Sequence, residues 1–549
     1  MKEILIVGNG LAGLSAAAEV VKQGHRAIIV SPMPANRAQS VMAAGGINAA
    51  LNTKGEDDSP QEHCQDTLKA GVFLGNEEAI RNMTAAAPEL IGWLSDMGMV
   101  FSRDGQGNPD CRYFGGQKKK RTVFSKSGIG KQLISALSQY LRKYEAEGQV
   151  VFMENCSMVQ LIQKDGMAAG IVAYNLATDS FLTLGGEGVI IATGGMNGIF
   201  GKTTGSVVSD GSVTALLYGE GCGLSNGEMI QYHPTTIETK QKRMLISEAA
   251  RGEGGRLFAM KEGKPWYFME EWFPEGGNLM PRDVVSKSIY QVIQMQKEEA
   301  SADLFSEPGV WLDISFLPKE VIEERLEEIT ALCQDFLGLD PAKEPIPVYP
   351  GIHYFMGGLY VDNQHRTTMN NLFAAGECCA LYHGANRLGG NSTLGAIYGG
   401  KIAAQTCLKE GEKLNLDQEP ELFSDSSQEG VNPLVVQQQM HCIMNEAMGI
   451  IRDEAGLLQG LAEIERLKAI SLKCLPTVDR AGRENMVERI KTKNFLNLAE
   501  ALLKSALARE ESRGAHQRKD FPEKVDKQFE KLTLAQRENG QTTIVFCEK

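Results

Sequence analysis

Three glycines near the start of the chain, Gly8, Gly10 and Gly13, have the spacing G-x-G-x-x-G. A turn of this kind can bring backbone amides against a pyrophosphate. The first glycine permits the tight turn, the second lets the backbone approach the phosphates at a helix N-terminus, and the third lets helix and strand pack closely. The pattern alone is weak, because a chain with 59 glycines offers chance matches. Its setting gives it weight. Glu3 to Val7 reads as a short strand, Leu14 to Gln23 as a helix stopped at Gly24, and His25 to Val30 as a second apolar strand. A βαβ unit predicts a parallel sheet with helices on both faces. The second strand runs into Ser31 instead of the Asp or Glu that usually holds a ribose. A serine hydroxyl can still bond a ribose, but the case for a nicotinamide dinucleotide weakens.

Three more glycine turns narrow the choice. Ala43 to Ala50 contains Gly45 and Gly46, where a backbone could approach a flat ring. Val189 to Gly195 reads as a buried strand ending in Ala192, Thr193 and Gly194. Leu372 to Glu377 reads as another, ending in a carboxylate that could bond a ribityl chain. Each is an ordinary α/β turn by itself. In this order they match an FAD-binding, two-dinucleotide-fold (Rossmann-like) α/β plan.

The elements around these turns divide the chain. Residues 1–235 read as the first part of the FAD-binding domain. Residues 236–350 are richer in charge and aromatics, with Trp266, Trp272 and Trp311, and read as an inserted domain. The glycine-rich style returns at 351–410. A polar stretch from Gly411 to Gln428 leads into helical sequence, where Leu457, Leu461, Ile464 and Leu467 keep the spacing of an amphipathic helix. Residues 411–549 read as a helical domain and tail. The 549 residues are globular in composition, 42% hydrophobic and 23% charged. A net charge of −13 with no basic arm argues against nucleic acid. It does not exclude an acidic substrate, because local Arg and His can reverse the field inside a cleft. Eleven scattered cysteines without a CxxC pair imply reduced thiols and no bound metal. The sequence shows neither a signal peptide nor an apolar run long enough to span a membrane.

Longer motifs carry a family likeness. Gln231-Tyr232-His233-Pro234-Thr235, Ser247 to Gly255, Pro281-Arg282-Asp283, His353 to Gly358, His383 to Ser392 and Arg509 to His516 resemble, in order, the flavoprotein subunits of succinate dehydrogenase and fumarate reductase. Gly263 to Phe268 resembles the Gram-positive bacterial form. The resemblance implies an FAD domain, an α+β capping domain inserted in it, and a C-terminal helical domain. It implies an iron–sulfur protein as electron partner, with a membrane anchor through that partner, and a place in the cytoplasm or on the cytoplasmic face of the membrane. Its FAD contacts would be Gly8, Gly10, Leu11, Ala12, Gly13, Ser31, Ser40, Gly45, Gly46, Ala192, Thr193, Gly194, Asp210, Glu377, Asn386, Arg387, Ser392 and Leu394.

Fumarate is a small dianion, and binding it needs fixed cations and donors at both ends, away from water. The likeness assigns one carboxylate to His353 and Arg387 and the other to His233 and Ser247, the latter standing where many relatives have Thr. It gives the proton to Arg282, with Glu248 and Arg251 as the relay that reprotonates it; three residues apart, these two would share a face of a helical turn. Aspartate oxidase relatives carry Glu where Phe114 stands, so an apolar Phe114 suits an unsubstituted dicarboxylate. Many relatives have a flavin-linked His where Gln39 stands. An amide cannot make that bond, so the expectation is non-covalent FAD, a stronger reductant, and fumarate reduction favoured over succinate oxidation. A stand-alone flavin oxidase of the aspartate oxidase kind, a reductase of another unsaturated acid, and an electron carrier without a substrate site are the rival readings. Lys118-Lys119-Lys120-Arg121 reads as a solvated loop, with partner docking as its alternative.

Overall fold

Four of the five side chains of Glu3–Val7 are buried, so no face of this strand is left for solvent. Such a strand belongs inside a parallel sheet covered on both sides. In the computed structural model it is the middle strand of five, in the order Leu372–Ala374, Val189–Ile191, Glu3–Val7, Arg26–Val30, Val150–Met153, every pair parallel. The described residues are 1–549 without 127, 241, 299–308 and 417–428, so the polar stretch up to Gln428 lies partly outside them. The helix after the first strand is Leu11–Lys22, which begins earlier than Leu14. Gly13 allows this: a Cβ there would stand 1.9 Å from the Gly8 carbonyl oxygen, so its absence lets the first helical turn close onto the strand. Gly24, at φ +79°, reverses the chain after the helix.

The aromatic-rich segment forms the capping domain. It has its own sheet, in the order Lys264–Trp266, Arg256–Lys261, Trp311–Asp313, Ile346–Pro347. A separate apolar core, drawn from residues between Ile237 and Val348, fills the space between this sheet and the helix Arg282–Glu298. The C-terminal helices Pro433–Ala447, Glu454–Ala469 and Arg480–Ala508 share another core. There Leu457, Ile464 and Leu467 are fully buried and Leu461 packs against them, the stripe their spacing predicts.

Two expectations need correction. The segment read as a helical domain and tail ends in a β-hairpin, Leu532–Glu538 with Gln541–Cys547. Its turn residues Asn539 and Gly540 have φ +50° and +79°, the left-handed pair that a two-residue hairpin turn requires. The hairpin extends a sheet whose other strands are Leu224–Ser225, Gly358–Tyr360 and Cys379–Ala380. The basic run at 118–121 is a loop with Lys118 and Lys120 exposed, but its last residue departs from the solvated reading. Arg121 is fully buried and pairs with Asp58 at 2.8 Å and Asp66 at 2.9 Å. The two carboxylates offset the cost of removing a guanidinium from water.

Candidate active site

The site grows out of one irregular strand pair. Ile230–Glu238 runs antiparallel to Tyr349–Phe355, and the register slips twice. Gln231 pairs with Tyr354 and Tyr232 with Ile352, which leaves His353 as the extra residue of a bulge. Bulges re-aim side chains. Here the His353 ring meets the His233 ring edge-on, with centroids 5.2 Å apart. The second slip lies between His233 and Thr236 and accommodates Pro234, which has no N–H for the ladder.

Both histidines line a cavity of about 690 Å³ between the FAD-binding and capping segments. The His233 Nδ1 lies 3.2 Å from the amide and the carbonyl oxygen of Thr235, while its buried Nε2 has no partner among the described residues. His353 Nδ1 lies 2.8 Å from Thr204 Oγ1. Burial, then the Arg282 charge, holds both rings well below the usual histidine range, so both are neutral. Arg387 enters from the segment before helix Asn391–Glu410. Its Nη1 donates to Ser392 Oγ at 3.0 Å, its guanidinium lies 4.3 Å from the Tyr354 ring centre, and its buried Nε has no acceptor among the described residues. Burial, with Arg282 nearby, lowers Arg387 to about 9. Ser247 lines the cavity and accepts the Ala249 amide at 3.3 Å.

Arg282 reaches the same cavity from the start of helix Arg282–Glu298. Its Nε and Nη2 donate to one oxygen of Glu248, at 2.9 and 2.7 Å, and its Nη1 donates to Gln231 Oε1 at 3.2 Å. The other Glu248 oxygen accepts from Arg251 Nη2 at 3.2 Å and from the Gly115 amide at 3.1 Å. The turn Ala249–Gly252 sets this i, i+3 contact. Burial pushes the Glu248 carboxyl up, but the two guanidinium groups outweigh it and hold the pKa below the usual range. The result is a buried Arg–Glu–Arg chain that leads away from the cavity. Arg251 does not line the cavity; its Nη1 donates to the Asn278 carbonyl at 2.6 Å.

Phe114 is 2% exposed and closes one wall. A Cβ on Gly45 or on Gly389 would come within 2.7 Å of its ring, so both glycines are spaces that the ring fills. Arg112 supports this wall: its Nη2 donates to the Ala44 carbonyl at 3.1 Å.

The rest of the cavity fits FAD. Gly8, Gly10, Leu11 and Ala12 line it at the N-terminus of Leu11–Lys22, where no acidic residue occupies the first turn and the first amides lack intrahelical partners. Gly8, at φ +114°, lies so close to the next strand that a Cβ would stand 2.2 Å from the Ala192 oxygen. Ser40 Oγ accepts the Leu11 amide at 3.1 Å. Ser31, Gly45, Gly46, Ala192, Thr193, Gly194, Asp210, Glu377 and Ser392 also line the cavity. The hydroxyl of Thr193 and the side-chain oxygen of Gln39 are buried and have no partner among the described residues, as atoms that hold a ligand would be. Glu377 accepts the Phe355 amide at 3.1 Å, and burial raises it to about 7, so near neutrality it can also donate to a ribityl hydroxyl.

Three expected FAD contacts lie off the cavity surface. Gly13 serves the packing of helix on strand, and Leu394 is wholly buried in the core. Asn386 is committed to Gln231 at 2.7 Å and Asp283 at 2.8 Å. In turn, Gln231, Tyr354, Thr204 and Arg112 were not assigned from sequence. For Gln231 a signal existed, since it stands two residues before His233 in a strand and shares its face. The other three touch the site through long-range packing that no local pattern shows.

Comparison with known proteins identifies the family. The FAD binding domain family profile matches residues 3–393, and that of the fumarate reductase flavoprotein C-terminus matches 437–548. The succinate dehydrogenase flavoprotein subunit of Bacillus subtilis is 39% identical, with 97% of this chain and 93% of the relative aligned. The fumarate reductase flavoprotein subunit of Mycobacterium tuberculosis is 33% identical over 99% of this chain and 96% of its own. The solved FrdA chain of E. coli quinol fumarate reductase superposes with a TM-score of 0.89 at 28% identity, covering 100% of this chain and 96% of that one. The chain therefore belongs to the FAD-dependent flavoprotein subunit family of succinate dehydrogenases and fumarate reductases.

Proposed function

We propose that this chain is the catalytic part of an enzyme that interconverts fumarate and succinate, with reduction favoured. The observation that carries the reading is the convergence of His233, Ser247, His353 and Arg387 in one cavity with Arg282, the head of a buried ion chain. Arg387 and His353 take one carboxylate, and His233 and Ser247 take the other. With the Thr235 amide donating to Nδ1, the neutral His233 ring presents N–H at Nε2, a donor with no other partner among the described residues. When bound, reduced FAD supplies the hydride equivalent for one carbon of the double bond. Arg282 gives the proton to the other carbon and recovers it through Glu248 and Arg251. An arginine is a poor acid in water. Burial against a carboxylate that is itself flanked by a second guanidinium gives the proton a route back.

Phe114 leaves no donor or charge for an amino group, which sets this site apart from an amino-acid oxidase. Gln39 lines the cavity and offers an amide, which makes no covalent link to flavin, so FAD is held without one. Electrons arrive from an iron–sulfur protein, which also holds the chain to the cytoplasmic face of the membrane. Among the described residues no helix is long and apolar enough to cross a membrane. The test is anaerobic reoxidation of the dithionite-reduced protein by a panel of enoates, and separately by oxygen. Fumarate should reoxidise it fastest. Rapid peroxide formation with L-aspartate, or preference for another enoate, overturns the assignment.

A further inference from the structure

A net charge of −13 works against binding a dianion. One corner of the cavity wall has the opposite sign. Lys202, Lys240, Lys242 and Arg243 gather near the end of strand Ile230–Glu238 and the start of Arg243–Leu245. Glu238 is the carboxylate paired there, 3.0 Å from Lys202 and 3.6 Å from Arg243 Nη2. Lys242 and Arg243 line the cavity. Thr239 fixes Lys242: its hydroxyl accepts the Lys242 amide at 3.3 Å, and its own amide donates to the Lys242 carbonyl at 3.0 Å. Arg243 is fixed too. Its amide donates to the Thr203 carbonyl at 3.0 Å, and its Cδ occupies space that a side chain on Gly351 would fill, 2.6 Å from the Cβ position.

Both cations have binding capacity left. Burial lowers the pKa of the Lys242 ammonium, and among the described residues no carboxylate acts to raise it. Arg243 Nη1 is buried and has no acceptor among the described residues. Such groups are costly to leave unpaired. Glu328 and Asp335 also line the cavity, on helix Glu327–Leu337, and Asp210 is met by Lys491 at 3.4 Å. None of these carboxylates pairs with Lys242 or Arg243 among the described residues. The Arg243 side chain is 23% exposed, whereas His233 is fully buried, so the basic pair lies nearer to solvent. The residues between, Met244 to Ile246, lead directly to Ser247.

We propose that Lys242 and Arg243 form an outer anion site, which receives a dicarboxylate dianion before it reaches His233, Ser247, His353 and Arg387. This rests on the functional reading above. The test compares the parent with Lys242→Gln/Arg243→Gln and with the charge-keeping Lys242→Arg/Arg243→Lys. Fumarate-driven reoxidation is measured anaerobically at about 10 mM and about 1 M ionic strength, where screening lengths are about 30 and 3 Å. The neutral variant should lose about tenfold in kcat/KM at low ionic strength, with kcat changed less than about twofold. The deficit should shrink to within about twofold at high ionic strength, and the charge-keeping variant should match the parent. Parent-like kcat/KM in the neutral variant at low ionic strength overturns the proposal. So does a loss of kcat that persists in high salt, which would mark a structural role. If the parent reacts with no enoate, the functional reading falls instead. Binding of malonate, read by flavin absorbance, then carries the test, and equal affinities of parent and neutral variant refute the outer site.

Discussion

Replacing Arg282 with alanine removes the guanidinium that faces the cavity and leaves the rest of its ion chain in place. Glu248 keeps Arg251 at 3.2 Å and the Gly115 amide at 3.1 Å but loses both bonds from Arg282. Losing one partner of a buried pair costs about 3–5 kcal/mol when the remaining charge is stranded. Here a second arginine stays, so the stability loss belongs near or below about 3 kcal/mol. Catalysis suffers more. A positioned acid contributes about 10²–10⁴-fold, and each decade corresponds to about 1.4 kcal/mol. Loss of Arg282 should therefore raise the barrier by about 3–5.5 kcal/mol. FAD should remain bound, because the side-chain bonds of Arg282 go to Glu248 and Gln231 and not to the glycine cradle. Arg282→Lys should recover little, since one ammonium cannot span Glu248 and Gln231 as the fork does. The assay is stopped-flow reoxidation of the reduced flavin by fumarate, with ferricyanide as an acceptor that needs no proton donor. Fumarate should fail while ferricyanide stays fast. An alanine variant within tenfold of the parent on fumarate would refute the role given to Arg282.

Acid precipitation should leave the yellow chromophore in solution, because Gln39 offers no linking imidazole; flavin fluorescence that travels with the chain on a denaturing gel contradicts this. Fumarate reduction with an artificial donor should outrun succinate oxidation with an artificial acceptor, since a flavin without a histidyl bond is the stronger reductant. Equal or faster oxidation by the parent would show that other contacts set the potential. Stability should fall as pH drops below about 6.5. Burial lowers His63 and His383 to about 3 and His365 to about 4. The unfolded chain therefore takes up protons that the fold refuses between these values and about 6.5, and the contribution is full above that window. Denaturant midpoints that do not change between pH 7.5 and 5 count against this account.

Much of the candidate site was legible because it depends on local rules. Gly8, Gly10 and Gly13 between a strand and a helix read as a phosphate cradle, and the structure adds that Gly13 lets the helix pack onto the strand. The Glu248–Arg251 pair needed only helical spacing. What stayed hidden depends on distant partners. Arg121 looks like its exposed neighbours until Asp58 and Asp66 enclose it. Tyr354 beneath Arg387 joins residues from two motifs whose mutual placement no spacing reveals. The C-terminal hairpin had a signal, Asn539-Gly540 between alternating strands, that the helical character before it obscured.

That hairpin also sets a timetable. Leu224–Ser225 leaves the ribosome long before Leu532–Glu538, its partner in the sheet, and Glu228 waits 305 positions for Thr533. During synthesis this edge has no mate, and the ion network of Glu228, Arg509, Glu511 and Arg513 cannot assemble. Long-range closure of this kind is slow and exposes strand edges meanwhile. Fragments cut before residue 532 should need a chaperone's protection, and a bulky fusion placed against the 541–547 strand should impair maturation although that strand does not line the cavity.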